Sequence, residues 1–185
     1  GKKLTTNSLL NFITDCEILI AGTETITAQA MDMAPNLRMI SRVGIGLDSV
    51  DLDAAKQRGI IVTNTPDAPS PAVGELTVGL LLDLARGISM TTARIKDNDW
   101  HRHFGVLLAK SSVGVIGFGR IGTLVARALL GIGVKKILAN DIDPLRKTLA
   151  ADMGLCCAGK TEIYETCDFI TLHLPMTPKT KNMIT

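Results

Sequence analysis

Three glycines and one acid carry the most specific chemistry in this sequence. Gly117, Phe118, Gly119, Arg120, Ile121 and Gly122 spell G-x-G-x-x-G, and Asp141 stands nineteen residues after Gly122. Each glycine has a separate physical task. Gly117 permits a tight turn, Gly119 lets the backbone approach a pyrophosphate, and Gly122 lets a helix pack closely on a strand. A carboxylate at 141 accepts both hydroxyls of an adenosine ribose and repels a 2′-phosphate. Neither Ile142 nor Asp143 is the arginine that would welcome one, so the spacing points to NAD rather than NADP. Glycines in turns are often only turns; what gives these weight is a strand before them, a helix after them and the acid at the right distance.

Those elements can be read directly. Val113, Val115 and Ile116 form a short β-branched run, as in a strand buried on both sides. Ile121, Leu124, Val125, Ala128 and Leu129 recur at helical spacing up to Gly131 and Gly133. The start of that helix presents free N–H groups and a partial positive charge to whatever anion lies over the glycines. Ile137 to Ala139 reads as a second strand ending at Asn140 and Asp141. A helix opened by Pro144 and reaching Met153, a brief strand Leu155 to Cys157, a helix Thr161 to Thr166 and a strand Phe169 to Leu172 follow. The last strand runs into His173 to Thr180. From Val113 onward this makes four strands where a doubly wound dinucleotide fold has about six, so an incomplete Rossmann-type parallel sheet is expected.

The upstream part alternates in the same way. Glu17 to Ala21 reads as a buried strand, Thr23 to Thr27 as a loop into a short helix through Ala34, and Pro35-Asn36 as its break. Leu37 to Val43 is a strand, Asp51 caps a helix Leu52 to Arg58 that Gly59 stops, and Ile60 to Thr63 is a third strand. Strand, helix, strand, helix, strand implies a smaller parallel α/β domain. At the end of its second strand, Val43 to Gly46 offers successive backbone N–H groups that make an anion nest; the plainer alternative is a turn that only reverses the chain. Asn64 to Pro71 contains three prolines and marks a hinge or boundary. A helix from Ala72 to about Ser89 is expected to carry Leu76, Leu80, Leu81 and Leu84 on one face. A further helix, Met90 to about Lys96, leads into a polar loop, Asp97 to Phe104. Gly1 to Asn7 reads as a frayed start without an initiating Met, as in a processed or trimmed chain.

Composition narrows the class. With 185 residues, 46% hydrophobic, 21% charged and a net charge of +2, the chain is globular, and its scattered Lys and Arg give no reason to expect nucleic acid or a membrane surface as a partner. Its longest apolar run, Val78 to Leu82, is far too short to span a bilayer. Cys16, Cys156, Cys157 and Cys167 form no C-x-x-C pair and read as buried free thiols of a reducing, cytoplasmic compartment, with no metal site.

Taken together, Asn36 to Asp51 (NLRMISRVGIGLDSVD), Asn64-Thr-Pro66, Gly74-Glu-Leu-Thr77, Gly117 to Gly122 and Leu172-His-Leu-Pro175 resemble the D-isomer-specific 2-hydroxyacid dehydrogenase family, and within it the phosphoglycerate dehydrogenases. The resemblance runs from about Asp15 to Thr185. It implies a partial, flavodoxin-like substrate domain over 1–66 and a partial NAD-binding Rossmann domain over 67–185. In the cofactor domain it implies that Gly117, Gly119, Arg120, Ile121 and Gly122 hold the pyrophosphate, that Asp141 binds the ribose, that Leu174, Pro175 and Thr180 line the adenosine and nicotinamide side, and that Val73 packs beside the ring. Gly44, Ile45 and Gly46 would present N–H groups to the carboxylate of a 2-hydroxy or 2-oxo acid. A homodimer formed through the NAD domain is also implied.

In such enzymes an Arg orients the substrate, a His shuttles the proton and a Glu orients that His, because hydride delivery to a carbonyl needs a fixed cation and an acid titrating near neutrality. The family places all three downstream of the H-x-P segment, so no catalytic residue is assigned here and the 185-residue chain alone is expected to turn nothing over. His173 belongs to the H-x-P segment, and His101 and His103 match no catalytic motif. Two departures point away from phosphoglycerate as the substrate: Gly22-Thr23 stands where Arg-Ser is frequent, and Pro69 where an Asn commonly faces the substrate. The alternative function on the same fold is a non-catalytic, NAD(H)-sensing interaction protein of the corepressor kind.

Overall fold

The computed structural model describes Leu9 and residues 12–183. The start expected to fray, Gly1 to Asn7, lies outside the described residues. The chain divides into two compact units, Gly1–Pro69 and Ser70–Thr185, within the proline-rich segment. Each has its own parallel sheet.

In the first unit, β1 (Ile18–Ala21), β2 (Met39–Arg42) and β3 (Ile61–Asn64) lie side by side in that order, with Ala21 opposite Arg42 and Arg42 opposite Asn64. Two short helices form because each has a side-chain cap. The Thr27 hydroxyl accepts from Ala30 N–H at 3.2 Å to start α1 (Ala28–Asp32), and Asp51 accepts from Ala54 N–H at 2.9 Å to start α2 (Leu52–Gln57). Caps of this kind contribute about 1 kcal/mol each. Ile13, Ile26, Met31, Leu37, Ile40, Ala54 and Ala55 make the core, with Leu19 packed against it. The expectation of a buried first strand needs correction. Leu19 and Ala21 face this core, whereas Ile18 and Ile20 point to the other face of the sheet and are exposed, as is Ile61. Side chains alternate along a strand, and among the described residues the apolar core covers one face.

The second unit opens with α3 (Ser70–Arg86) and α4 (Ile88–Lys96), then runs β4 (Ser112–Ile116), α5 (Arg120–Ile132), β5 (Lys136–Asn140), α6 (Pro144–Asp152), β6 (Cys156–Cys157), α7 (Lys160–Thr166) and β7 (Phe169–Leu172). The strand order β6-β5-β4-β7, all parallel, makes β4 central, and every residue of β4 is buried. The chain steps outward from β4 through β5 to β6 and then crosses back to β7 on the other side of β4, so the ends of β4 and β7 form the switch point at which such sheets bind ligands. Helix α5 buries Gly122, Val125, Ala126 and Leu129 and stops at Gly133, whose φ of 95° is the left-handed conformation that a helix C-terminus favours.

Two further expectations are corrected here. Helix α3 begins at Ser70 with Pro71 in its first turn, where a missing N–H costs nothing, and it breaks at Gly87 rather than near Ser89. Its leucines do not share a face. Leu81 is 4% exposed, in one stripe with Gly74 and Ala85, while Leu76, Leu80 and Leu84 are 62%, 54% and 73% exposed on the stripe beside it. The cysteines are not buried either: Cys156 and Cys157 are exposed, and Cys16 and Cys167 are half-buried, all four as free thiols. The two-residue strand β6 sits at the sheet edge, where it has no neighbour on one side to cover it.

Candidate functional site

The three glycines of the loop after β4 have three different geometries. Gly117 adopts φ 93°, and a Cβ there would lie 2.4 Å from the His173 carbonyl oxygen. It sits between two strand ends, its N–H donating to Asn140 O at 2.8 Å, while His173 N–H donates to Ile116 O at 2.8 Å. Gly122 lies in the first turn of α5, where a Cβ would meet the Gly117 carbonyl oxygen at 2.1 Å and Val115 Cγ1 at 3.3 Å. Only a hydrogen there lets helix and strand approach so closely. Gly119 is the residue before α5 and has an ordinary φ of −79°; no side chain caps the helix, and nothing lies within 4 Å of where its Cβ would be. Arg120 and Ile121 follow as the first residues of that helix. Open space over a helix N-terminus without a side-chain cap is where an anion is stabilised by N–H groups and the helix dipole.

Asp141 follows the last residue of β5, beside this loop. Its Oδ2 accepts from Phe118 N–H at 2.7 Å and its Oδ1 from Asp143 N–H at 2.9 Å. A carboxylate has about four acceptor positions, so about two remain for hydroxyl donors. The N–H of Phe118 is a partner that the spacing of the motif does not reveal.

After β7, Leu174, Pro175 and Thr180 line a cleft of about 350 Å³ together with Leu172, Met176, Asn182 and Met183. Thr180 closes the turn: its hydroxyl donates to Pro175 O at 2.6 Å and accepts from Thr177 N–H at 2.8 Å. Leu174 also packs on Ile116, Leu138 and Ile163. A mostly apolar wall with one hydroxyl and one amide suits a flat heterocycle. His173 borders this segment; burial pushes its imidazole below the ordinary histidine value, and its Nε2 lies 3.0 Å from Thr171 Oγ1. Val73 is half-buried near the start of α3, next to Gly74, where a Cβ would stand 3.4 Å from Leu124 Cβ of α5, in ordinary contact.

In the first unit, the turn after β2 is tied down on several sides. Gly44 has φ 148°, and a Cβ there would collide with the Arg42 guanidinium, which folds back and donates to Val43 O. Gly44 N–H donates to Thr65 Oγ1 at 2.8 Å and Thr65 N–H donates back to Gly44 O at 3.0 Å, while Asn64 Nδ2 donates to Ile45 O at 2.8 Å. Of the three N–H groups expected to face an acid, that of Gly44 is therefore taken by Thr65. Those of Ile45 and Gly46 have no acceptor among the described residues. Thr65 was visible in the sequence only as part of N-T-P, and Glu24, which accepts from Gly22 N–H at 2.7 Å, carried no signal beyond an acid two residues after a glycine.

Comparison with known proteins bears on the family and the fold. The family model described as D-isomer specific 2-hydroxyacid dehydrogenase, catalytic domain, matches residues 2–180. Over 98% of its length the chain is 40% identical to a D-3-phosphoglycerate dehydrogenase of Methanocaldococcus jannaschii, covering 35% of that protein. Over its whole length it is 35% identical to a hydroxypyruvate reductase of Thermotoga maritima, covering 60% of it. The chain thus spans about a third of the length of the phosphoglycerate dehydrogenases it matches. Among solved structures, a D-lactate dehydrogenase of Aquifex aeolicus complexed with NAD and lactic acid superposes with a TM-score of 0.77 at 28% identity, over 92% of this chain and 52% of that one.

Proposed function

The chain belongs to the D-isomer-specific 2-hydroxyacid dehydrogenase family, and from that premise we propose that the whole protein is an NAD-dependent oxidoreductase that interconverts a D-2-hydroxy acid and its 2-oxo acid. The observation that carries the reading is the pairing of an open Gly119 at the start of α5 with the Asp141 carboxylate held beside it. These residues fit a dinucleotide: Gly119, Arg120 and Ile121 cradle the pyrophosphate, Gly117 and Gly122 keep the loop tight, and Asp141 accepts from the ribose. Leu174, Pro175 and Thr180 form the wall for the rings, and Val73 packs beside the nicotinamide. The bound nicotinamide supplies or receives the hydride; the residues of this chain orient it and exclude water. Ile45 and Gly46 hold the substrate carboxylate through their N–H groups, with Gly44 shaping the turn. The first unit is read as the substrate domain and the second as the NAD domain.

The protein is further read as a cytoplasmic homodimer. Among the described residues no helix is long and apolar enough to cross a membrane, and the cysteines are free thiols. The exposed leucines of α3 supply an apolar stripe for a second copy. Titration with NADH and NADPH, followed by an NADH-linked assay of the whole protein with a panel of 2-oxo acids, tests the function. Equal affinity for the two cofactors defeats the ribose reading, and NADH binding without oxidation by any 2-oxo acid defeats the enzyme.

A further inference from the structure

The rim of the first sheet, at the C-terminal ends of β1, β2 and β3, holds more charge than the glycine turn alone implies. Ala21 and Arg42 are opposite each other in the ladder, and Val43 N–H donates to Ala21 O at 2.8 Å, so Gly22 and Val43 continue the two strands as neighbours. Gly22 has no side chain, and in its place lies the Glu24 carboxylate: a Cβ on Gly22 would be 3.1 Å from Oε2 and 3.3 Å from Oε1, and Gly22 N–H donates to Oε2 at 2.7 Å. On the other flank of the turn, Asp48 Oδ1 would be 2.5 Å from a Cβ on Gly46. The arginine of this rim, Arg42, does not reach outward. Its guanidinium lies over Gly44 and donates to Val43 O, with Nε buried and without an acceptor. An acid anchored on Ile45 and Gly46 would therefore be flanked by two carboxylates and one inward-folded cation.

We propose that Glu24 is a specificity-determining residue that turns away 2-oxo acids bearing a second anionic group, so that the substrate class is the monoanionic 2-oxo and 2-hydroxy acids and not their phosphate esters. The proposal rests on the reading of Ile45 and Gly46 as the carboxylate subsite. A neutral or hydroxyl-bearing tail meets no penalty at this rim, and Asn64 and Thr65 offer it polar surroundings on the β3 side. A phosphate carries about two negative charges near neutral pH, and its repulsion by a fixed carboxylate within a Debye length, at an effective dielectric constant of about 20 to 40, costs about 3- to 10-fold in affinity.

The test is a titration of the 185-residue chain with hydroxypyruvate and with hydroxypyruvate 3-phosphate, followed by the amide NMR signals of Ile45 and Gly46. It is run on the wild type, Glu24→Gln and Glu24→Ala, at two salt concentrations. The expected result is a wild-type preference for the unphosphorylated acid. That preference shrinks by about 3- to 10-fold in both variants and at high salt, while hydroxypyruvate affinity stays within about twofold. Glutamine keeps the acceptor for Gly22 N–H, so a purely structural role for Glu24 would leave its ratio unchanged, and that result overturns the proposal. Wild-type preference for the phosphate ester overturns it as well. Shifts at neither amide with either acid remove the carboxylate subsite itself and this proposal with it, which separates the two failures.

Discussion

The backbone N–H of Phe118 donates to Oδ2 of Asp141 at 2.7 Å, so the acid just after β5 also ties down the glycine loop that follows β4. One side chain thereby fixes the loop and, in the function proposed above, also accepts from the ribose. The two tasks can be separated by substitution.

Asp141→Ala removes both and is expected to weaken NADH binding by about 10- to 100-fold, the cost of a charged hydrogen bond of about 1.5–3 kcal/mol. Asp141→Asn keeps one acceptor oxygen, for Phe118 N–H, while giving up the one for Asp143 N–H and losing the charge. It should bind NADH only a little more weakly and narrow the gap between NADH and NADPH, because the 2′-phosphate is no longer repelled. Calorimetric titration of both variants with both cofactors measures this, and an unchanged cofactor ratio in the Asn variant would refute it.

Gly122 and Gly119 should respond to the same substitution in opposite ways. Gly122→Ala drives a Cβ to 2.1 Å from the Gly117 carbonyl oxygen, so a stability loss of about 1–3 kcal/mol is expected, as for other overpacked sites. Gly119→Ala meets nothing within 4 Å at an ordinary φ and should melt within a degree or two of the parent. Its methyl group nevertheless stands where a pyrophosphate would approach, so NADH affinity should fall. Thermal melts and NADH titrations on both variants give the two readouts.

His173 makes stability depend on pH in a defined direction. Burial lowers its pKa from the ordinary value of 6.5, so between that value and the lower folded one the unfolded chain binds more protons than the folded chain. Stability is therefore fully present above about pH 6.5 and is lost as pH falls through the folded value. Urea melts of His173→Asn between pH 7.5 and 5 should show a flatter slope than the parent; parallel curves would exclude the histidine as the cause.

Leu84 is 73% exposed, so Leu84→Glu should leave the fold intact and act on association alone. Sedimentation velocity is expected to show a dimeric parent and a monomeric variant with the same circular dichroism spectrum. A monomeric parent, or a variant that remains dimeric, would remove α3 as the interface.

At the dinucleotide end much was legible in advance, because the requirements there are local. A tight turn, a close helix and an N-terminus free for an anion each demand glycine at one position, and the β-branched run and the helical period around them state their own geometry. The strands and helices from Ser112 to Leu172 differ from their sequence reading only at their ends. The cap Asp51, read in advance, likewise sits next to the helix it starts; Thr27 and Asp143 cap theirs as well, though the sequence reading did not single them out.

What the sequence could not supply was which face meets which neighbour. Period alone put Leu76, Leu80, Leu81 and Leu84 together, but packing of α3 on α5 through Gly74 selects only the stripe containing Leu81 and Ala85. Partners distant in the chain were equally hidden: Thr65 takes the Gly44 N–H across 21 positions, and Asp141 takes that of Phe118 across 23. Local steric and capping demands are written residue by residue, so the sequence determined the loop, the strands and the family. Burial and hydrogen-bond pairing depend on what the fold brings alongside, and only the tertiary structure decided those.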